Sequence, residues 1–205
     1  MENIRILTNI FGKNGLYIRG LDEGQIKDLM ESGLVTSDPL SFYQMANEDR
    51  ANSTYPKESE FAAKVSKLWA KDGWDKKKWD DLIDAINASR DTSLQNFLCW
   101  LIPSIGDDAS IKLSKFWNDD IEAFKAFVGT FAGLYCGDCR RDDIAYAEGV
   151  YESGYRILSG IDGVGSKNAA DVIDWADETT ACRERYEHFM AFVDELEFSK
   201  ATSMA

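Results

Sequence analysis

Histidine is almost absent from this chain: His188 is the single one in 205 residues. One imidazole excludes the paired Glu-x-x-His helices of di-metal carboxylate sites, and His188 has no His-Glu-x-x-His context. No Gly-x-Ser-x-Gly elbow occurs, so the usual hydrolase nucleophile is missing too. No apolar run approaches the roughly 18 residues that span a bilayer, which leaves no membrane partner to expect. The first fifteen residues lack the basic stretch and long apolar core of a secretory signal, so a cytoplasmic location is expected. Cysteines number four, Cys99, Cys136, Cys139 and Cys182. A chain this large and rich in core residues needs no disulfide framework, and reduced thiols are expected. Positive charge is also scarce, with 23 basic against 36 acidic side chains and a net charge of -13.

What is present points to a packed, mainly α protein. Hydrophobic residues make up 44% and aromatics 12%, enough to build a core. From Pro56 onward the apolar residues recur at helical spacing. Phe61, Val65, Leu68 and Trp69 form one stripe, and Trp79, Leu82, Ile83 and Ile86 another. Residues 92–102 are nearly all apolar and stop at Pro103. Further helices are expected at about 108–118, 119–135, 141–160, 166–177 and 179–197. Before Pro56, Asp22 to Gly33 reads as a helix ending on a glycine C-cap. The first twenty residues, rich in Ile, Leu, Phe and Tyr around Gly12-Lys13-Asn14-Gly15, read as a β-hairpin. The expected fold is thus a multi-helix globular domain with a small N-terminal β-hairpin. Its segments are 1–55 and 56–205, which can also form one continuous domain. No repeat at a fixed period is visible.

One short stretch carries a family signature. Residues 158–178 run Leu158, Ile161, Gly163-Val164-Gly165, Lys167, Ala169-Ala170 and Val172-Ile173. This pattern resembles the helix-hairpin-helix motif of DNA-repair and replication proteins. The resemblance implies a sharp turn on the glycines, backbone N–H groups of Gly163, Val164 and Gly165 aimed at a phosphate, and Lys167 adding charge. The structural alternative is a plain turn between two helices. A phosphate-binding P-loop is excluded, because Ser166-Lys167 reverses the required Lys-Ser/Thr order and a helix, not a strand, leads in.

Three other groups have the composition of a site. Lys67, Lys71, Lys76, Lys77 and Lys78 interleave with Trp69, Trp74 and Trp79. Aromatics among cations suit base stacking or a partner hot spot. The alternative places Trp69 and Trp79 in the core and the lysines on a solvated face, leaving Trp74, at the turn, exposed for binding. Cys136 and Cys139 have the spacing of a zinc ligand pair, and Cys182 and His188 are the residues that would complete it. Without that pairing they are ordinary thiols and no cofactor is implied. Paired acids such as Asp107-Asp108, Asp119-Asp120 and Asp142-Asp143 fall where helices begin, and read as caps.

The charge is uneven: net -3 over residues 1–55, +1 over 56–90 and -11 over 91–205. A dense carboxylate surface that includes Asp142, Asp143, Asp171, Asp174, Asp177 and Glu178 fits a protein partner with a basic surface. The favoured expectation is a non-enzymatic acidic helical protein acting through such a partner, in the manner of a phage- or mobile-element-type inhibitor that mimics nucleic-acid charge. The alternative is a helix-hairpin-helix protein that binds or processes DNA, through Gly163, Val164, Gly165 and Lys167 with Trp74, Lys76, Lys77 and Lys78. No catalytic residue is assigned under either.

Overall fold

The computed structural model describes residues 2–12, 15–54, 59–102, 104–132 and 144–198. The chain divides into two compact units, Met1–Asp91 and Thr92–Ala205.

The first unit opens with helix α1 (Glu2–Ile10) where the composition suggests a strand. The β-hairpin expectation is therefore corrected. Ile4, Leu7, Thr8 and Phe11 lie inward at i, i+3, i+4 and i+7, with Leu7 and Phe11 buried. The period decided the outcome over the β-branched content. After the turn the chain is tied to the end of α1, with the Leu16 and Ile18 amides donating to the Ile10 and Phe11 carbonyls at 2.8 and 3.1 Å. Helix α2 (Glu23–Ser32) begins in a full capping box, where Asp22 accepts from the Gln25 amide and Gln25 accepts from the Asp22 amide. It ends on Gly33 at φ 77°, as the glycine C-cap reading expects. Helices α3 (Leu40–Thr54), α4 (Glu60–Trp69) and α5 (Lys76–Ala88) complete the unit. α2 packs on α1 and α4, and α3 on α4 and α5. The α5 stripe Trp79, Leu82, Ile83 and Ile86 is wholly buried, as its spacing predicts. Phe61 and Leu68 of α4 are buried too, but Trp69 is 42% exposed.

The second unit contains α6 (Leu94–Leu101), α7 (Gly106–Phe116), α8 (Ile121–Ala132), α9 (Ile144–Ser159), α10 (Ser166–Thr180) and α11 (Arg183–Asp194). The two-residue strands β1 (Asp91–Thr92) and β2 (Glu197–Phe198) form the only sheet among the described residues. The mainly α, multi-helix expectation thus holds. α10 is the central element, touching α8, α9 and α11. It buries Ala169, Val172, Ile173 and Ala176. Around it an aromatic cluster closes the core, with Phe124 stacked on Trp175 at 5.9 Å and Phe189 edge-on to Trp175 at 5.4 Å. Asp120 accepts from the Glu122 amide at 2.9 Å, so at least this acid is a cap. No described helix is long and apolar enough to cross a membrane.

Two substitutions separate propensity from packing. Gly149 is exposed inside α9, and a methyl group added at its Cα would meet nothing within 4 Å. Gly149→Ala should raise stability by about 0.5–1 kcal/mol. Ile173→Ala, at a fully buried position, should lower it by about 2–5 kcal/mol. Urea unfolding of both variants checks the pair.

Candidate nucleic-acid interface

The stretch at Gly163 is one of several turns built alike. Gly20, Gly73 and Gly163 adopt left-handed φ values of 83°, 78° and 82°. Each is followed by an apolar residue (Leu21, Trp74 or Val164) and then by the N-cap of a helix: Asp22 for α2, Asp75 for α5, Gly165 for α10. Glycine is needed because φ near +80° brings a Cβ against its own carbonyl oxygen. The apolar residue then turns inward at two of them, with Trp74 6% and Val164 4% exposed, while Leu21 is half-buried.

The second and third turns share more than shape. Residues 71–88 and 161–178 match position by position, with Asp72, Gly73, Lys77, Asp81, Ile83 and Asp84 recurring as Asp162, Gly163, Lys167, Asp171, Ile173 and Asp174. Trp79, Leu82 and Ile86 face the core, as do Ala169, Val172 and Ala176. The chain therefore does contain a repeat, at an offset of ninety residues. The sequence hid it because six identities in eighteen positions, at so long an offset, leave no short period. A fourth turn, at Ile105-Gly106, opens α7 with Ile105 buried and Gly106 at φ 66°.

The turns differ in what occupies the helix start. Asp22 and Asp75 accept from the Gln25 and Lys78 amides at 2.8 and 2.7 Å. These carboxylates satisfy first-turn amides of their helices from within the chain. Gly165 has no side chain, and no side-chain cap reaches the first amides of α10. This leaves N–H groups and the positive end of the helix dipole facing outward.

The cations sort just as clearly. Lys167 is 77% exposed and pairs with Asp171 at 2.8 Å, one turn along α10. Asp171 is held below its usual carboxylate range by Lys167 first, then by a hydrogen bond from Ser104. Lys112 of α7 lies over the turn, its Cε 3.2 Å from where a Gly163 Cβ would stand. It has no ion pair among the described residues, and it is a residue that the sequence reading missed. No local signal exposes it, because only the packing of α7 brings it from fifty residues away.

At the Gly73 turn the expected exposure is reversed. Trp74 is buried and donates its indole N–H to Asp28 Oδ2 at 2.9 Å, while Lys78 lies 4.6 Å over its ring. Trp69 is the exposed indole. Lys71 pairs with Asp28 and Glu31, and Lys76 with Asp80. Lys77 is exposed, has no ion pair among the described residues and occupies the position equivalent to Lys167.

The acidic candidates do not form one free surface. Asp174 accepts from Tyr151 Oη at 2.7 Å, and this bond pushes the phenol up to about 12. Asp177 is half-exposed and Glu178 exposed further along α10. Asp142 and Asp143, with Cys136 and Cys139, lie outside the described residues. Cys182 is exposed just before α11 and His188 lies within that helix. No group of three His, Cys, Asp or Glu residues among the described ones is arranged to hold a metal ion.

No family model matches the chain. It is similar to DNA ligases of Rickettsia canadensis (strain McKiel) and Rickettsia bellii (strain RML369-C), at 25% and 26% identity over 177 residues. Each alignment covers 86% of this chain and 21% of the ligase. The chain thus spans about a fifth of the length of these curated relatives.

Two measurements test the electrostatics of the fold. Burial and the neighbouring Asp107 carboxylate push the Cys99 thiol up to about 11, and it donates to Asp107 at 3.0 Å. Peptide mapping after alkylation at pH ~8 should find Cys182 modified while Cys99 lags at least about tenfold. Lys71 holds Asp28 below its ordinary value of 3.8. A lowered carboxylate adds stability above that value and loses it as pH falls through the folded one. Asp28→Asn should therefore flatten the loss of stability below about pH 4, seen in acid-dependent melting.

Proposed function

We propose that this chain is a nucleic-acid-binding module of a DNA-processing protein, which holds the sugar-phosphate backbone with helix-hairpin turns. The observation that carries this reading is the recurrence of one turn geometry, Gly-apolar-cap, at Gly20, Gly73 and Gly163. α10 begins on Gly165 without a side-chain cap, as α7 and α11 do at Ile105 and Cys182; what sets it apart is the left-handed Gly163 before it, with Lys112 and Lys167 nearby. Its first amides and these lysines are the donors and charges that a phosphate takes up. The likeness to DNA ligases supports the same class of ligand, and with it a place of action where cellular DNA is handled.

The contacts assigned are backbone contacts. Gly163, Val164, Gly165 and Lys167, with Lys112, would form the stronger site, and Lys77 with Lys76 the weaker one at the Gly73 turn. Trp74 is withdrawn from the ligand and supports the turn from inside. None of these side chains reads base edges, so binding should be insensitive to sequence. The net charge of -13 opposes this function at long range, so affinity depends on the local cations and on salt.

The acidic-partner reading rests on net charge, and Asp174 is engaged within the fold by Tyr151, whereas the Lys167–Asp171 pair ties up one residue of each reading. One titration separates the two. A short fluorescent duplex should bind at about 50 mM salt and lose most affinity by about 200 mM. Lys167→Gln and Lys112→Gln should each weaken binding about three- to tenfold and lower the log–log salt slope by about 0.9. Absence of duplex binding at low salt, with retention of a polybasic protein instead, would overturn this proposal in favour of the acidic one.

A further inference from the structure

We infer that Asp28 is the positioning residue of the Gly73 turn: from α2 it holds the turn in the shape that presents Lys77 to the backbone. This inference rests on the nucleic-acid reading above. The turns at Gly73 and Gly163 differ at the plug, where Trp74 stands in place of Val164. Valine needs only a dry pocket. An indole buried to 6% exposure also brings an N–H that requires an acceptor. Asp28 supplies it at 2.9 Å through Oδ2, and its other oxygen accepts from Lys71 at 2.8 Å.

The placement of these partners fixes the turn on both sides. Lys71 and Trp74 bracket Asp72 and Gly73, so a single carboxylate grips the chain before and after the left-handed glycine. Lys71 also reaches Glu31, and Lys67 donates to the Glu31 carbonyl. Lys78 lies over a face of the indole. Three lysines are thereby committed to bracing the turn and α2, while Lys77 stays exposed. Ordinary surface ion pairs contribute little. This one is half-buried, with Lys71 and Asp28 side chains 24% and 31% exposed, and it is joined to a buried donor.

The test uses the full chain with Asp28→Ala, Asp28→Asn and Trp74→Phe, read by amide hydrogen exchange and by duplex affinity. Asp28→Ala should speed exchange at residues 72–75 about tenfold or more and leave residues 162–165 unchanged. Asp28→Asn, which keeps an acceptor for the indole, should have a smaller effect. Trp74→Phe keeps the plug and removes its donor, so it too should speed exchange at residues 72–75, and it carries the test if the alanine variant does not fold. In duplex binding, Asp28→Ala should weaken affinity about three- to tenfold although it removes a negative charge. Its effect should be non-additive with Lys77→Gln and additive with Lys167→Gln. Unchanged exchange at 72–75, or tighter binding by the alanine variant, would overturn the inference. If the wild-type chain binds no duplex, the nucleic-acid reading fails by itself, and the exchange comparison still decides whether Asp28 orders the turn.

Discussion

A glycine at φ near +80°, followed by an apolar residue that enters the core and by the cap of a new helix, is the constraint on which the structure depends. The left-handed residue reverses the chain within three positions. The inward residue, Trp74 or Val164, then pins the reversal to the interior of its own unit. Because the next helix starts immediately, its direction and its buried stripe follow from the turn. Trp79, Leu82, Ile83 and Ile86 fall inward after one such turn, and Ala169, Val172, Ile173 and Ala176 after another. The same geometry leaves the first amides of the helix at the surface, where either a side-chain carboxylate or an outside anion can satisfy them. Folding and the proposed function thus share one local solution.

The choice between those two partners differs among the turns. Asp22 and Asp75 satisfy the amides internally, which stabilises their helices by roughly 0.5–2 kcal/mol each relative to an alanine cap. Glycine is itself a tolerated N-cap, so Gly165 gives up only about a few tenths of a kcal/mol relative to those carboxylates. Lys112 and Lys167 lie beside this start. The lysine-rich segment 67–78 shows the converse. Its charge looks concentrated in sequence, yet Lys71 and Lys78 brace the turn from within, and Lys76 is matched by Asp80.

Much of the architecture was legible because helix stripes and caps are local. The α5 stripe, the Gly33 C-cap and the mainly α class follow from spacing within a few turns. The N-terminal segment was misread as strand because Ile-rich composition masked the spacing of Ile4, Leu7, Thr8 and Phe11. The glycines and small residues of this stretch predict a tight turn, and the structure places one at Gly163 ahead of α10. Trp74 and Trp69 exchanged roles, since a tryptophan beside a glycine turn can face either way and its neighbours in sequence do not decide. Trp74 faces inward because α2 offers Asp28 as an acceptor.

The sequence by itself determined the helices from Asp22 onward, most of the residues that line their inner faces, and that the chain carries a large excess of negative charge. These depend on contacts of a few residues' range or on composition alone. Only the tertiary structure decided which charges are spent inside the fold and which remain outside. Lys112 reaches the Gly163 turn, and Lys71 reaches Asp28, across separations of about fifty and forty-three residues. Side-chain charges couple through space with no regard for distance along the chain, so helix packing had to place them before their roles could be told apart.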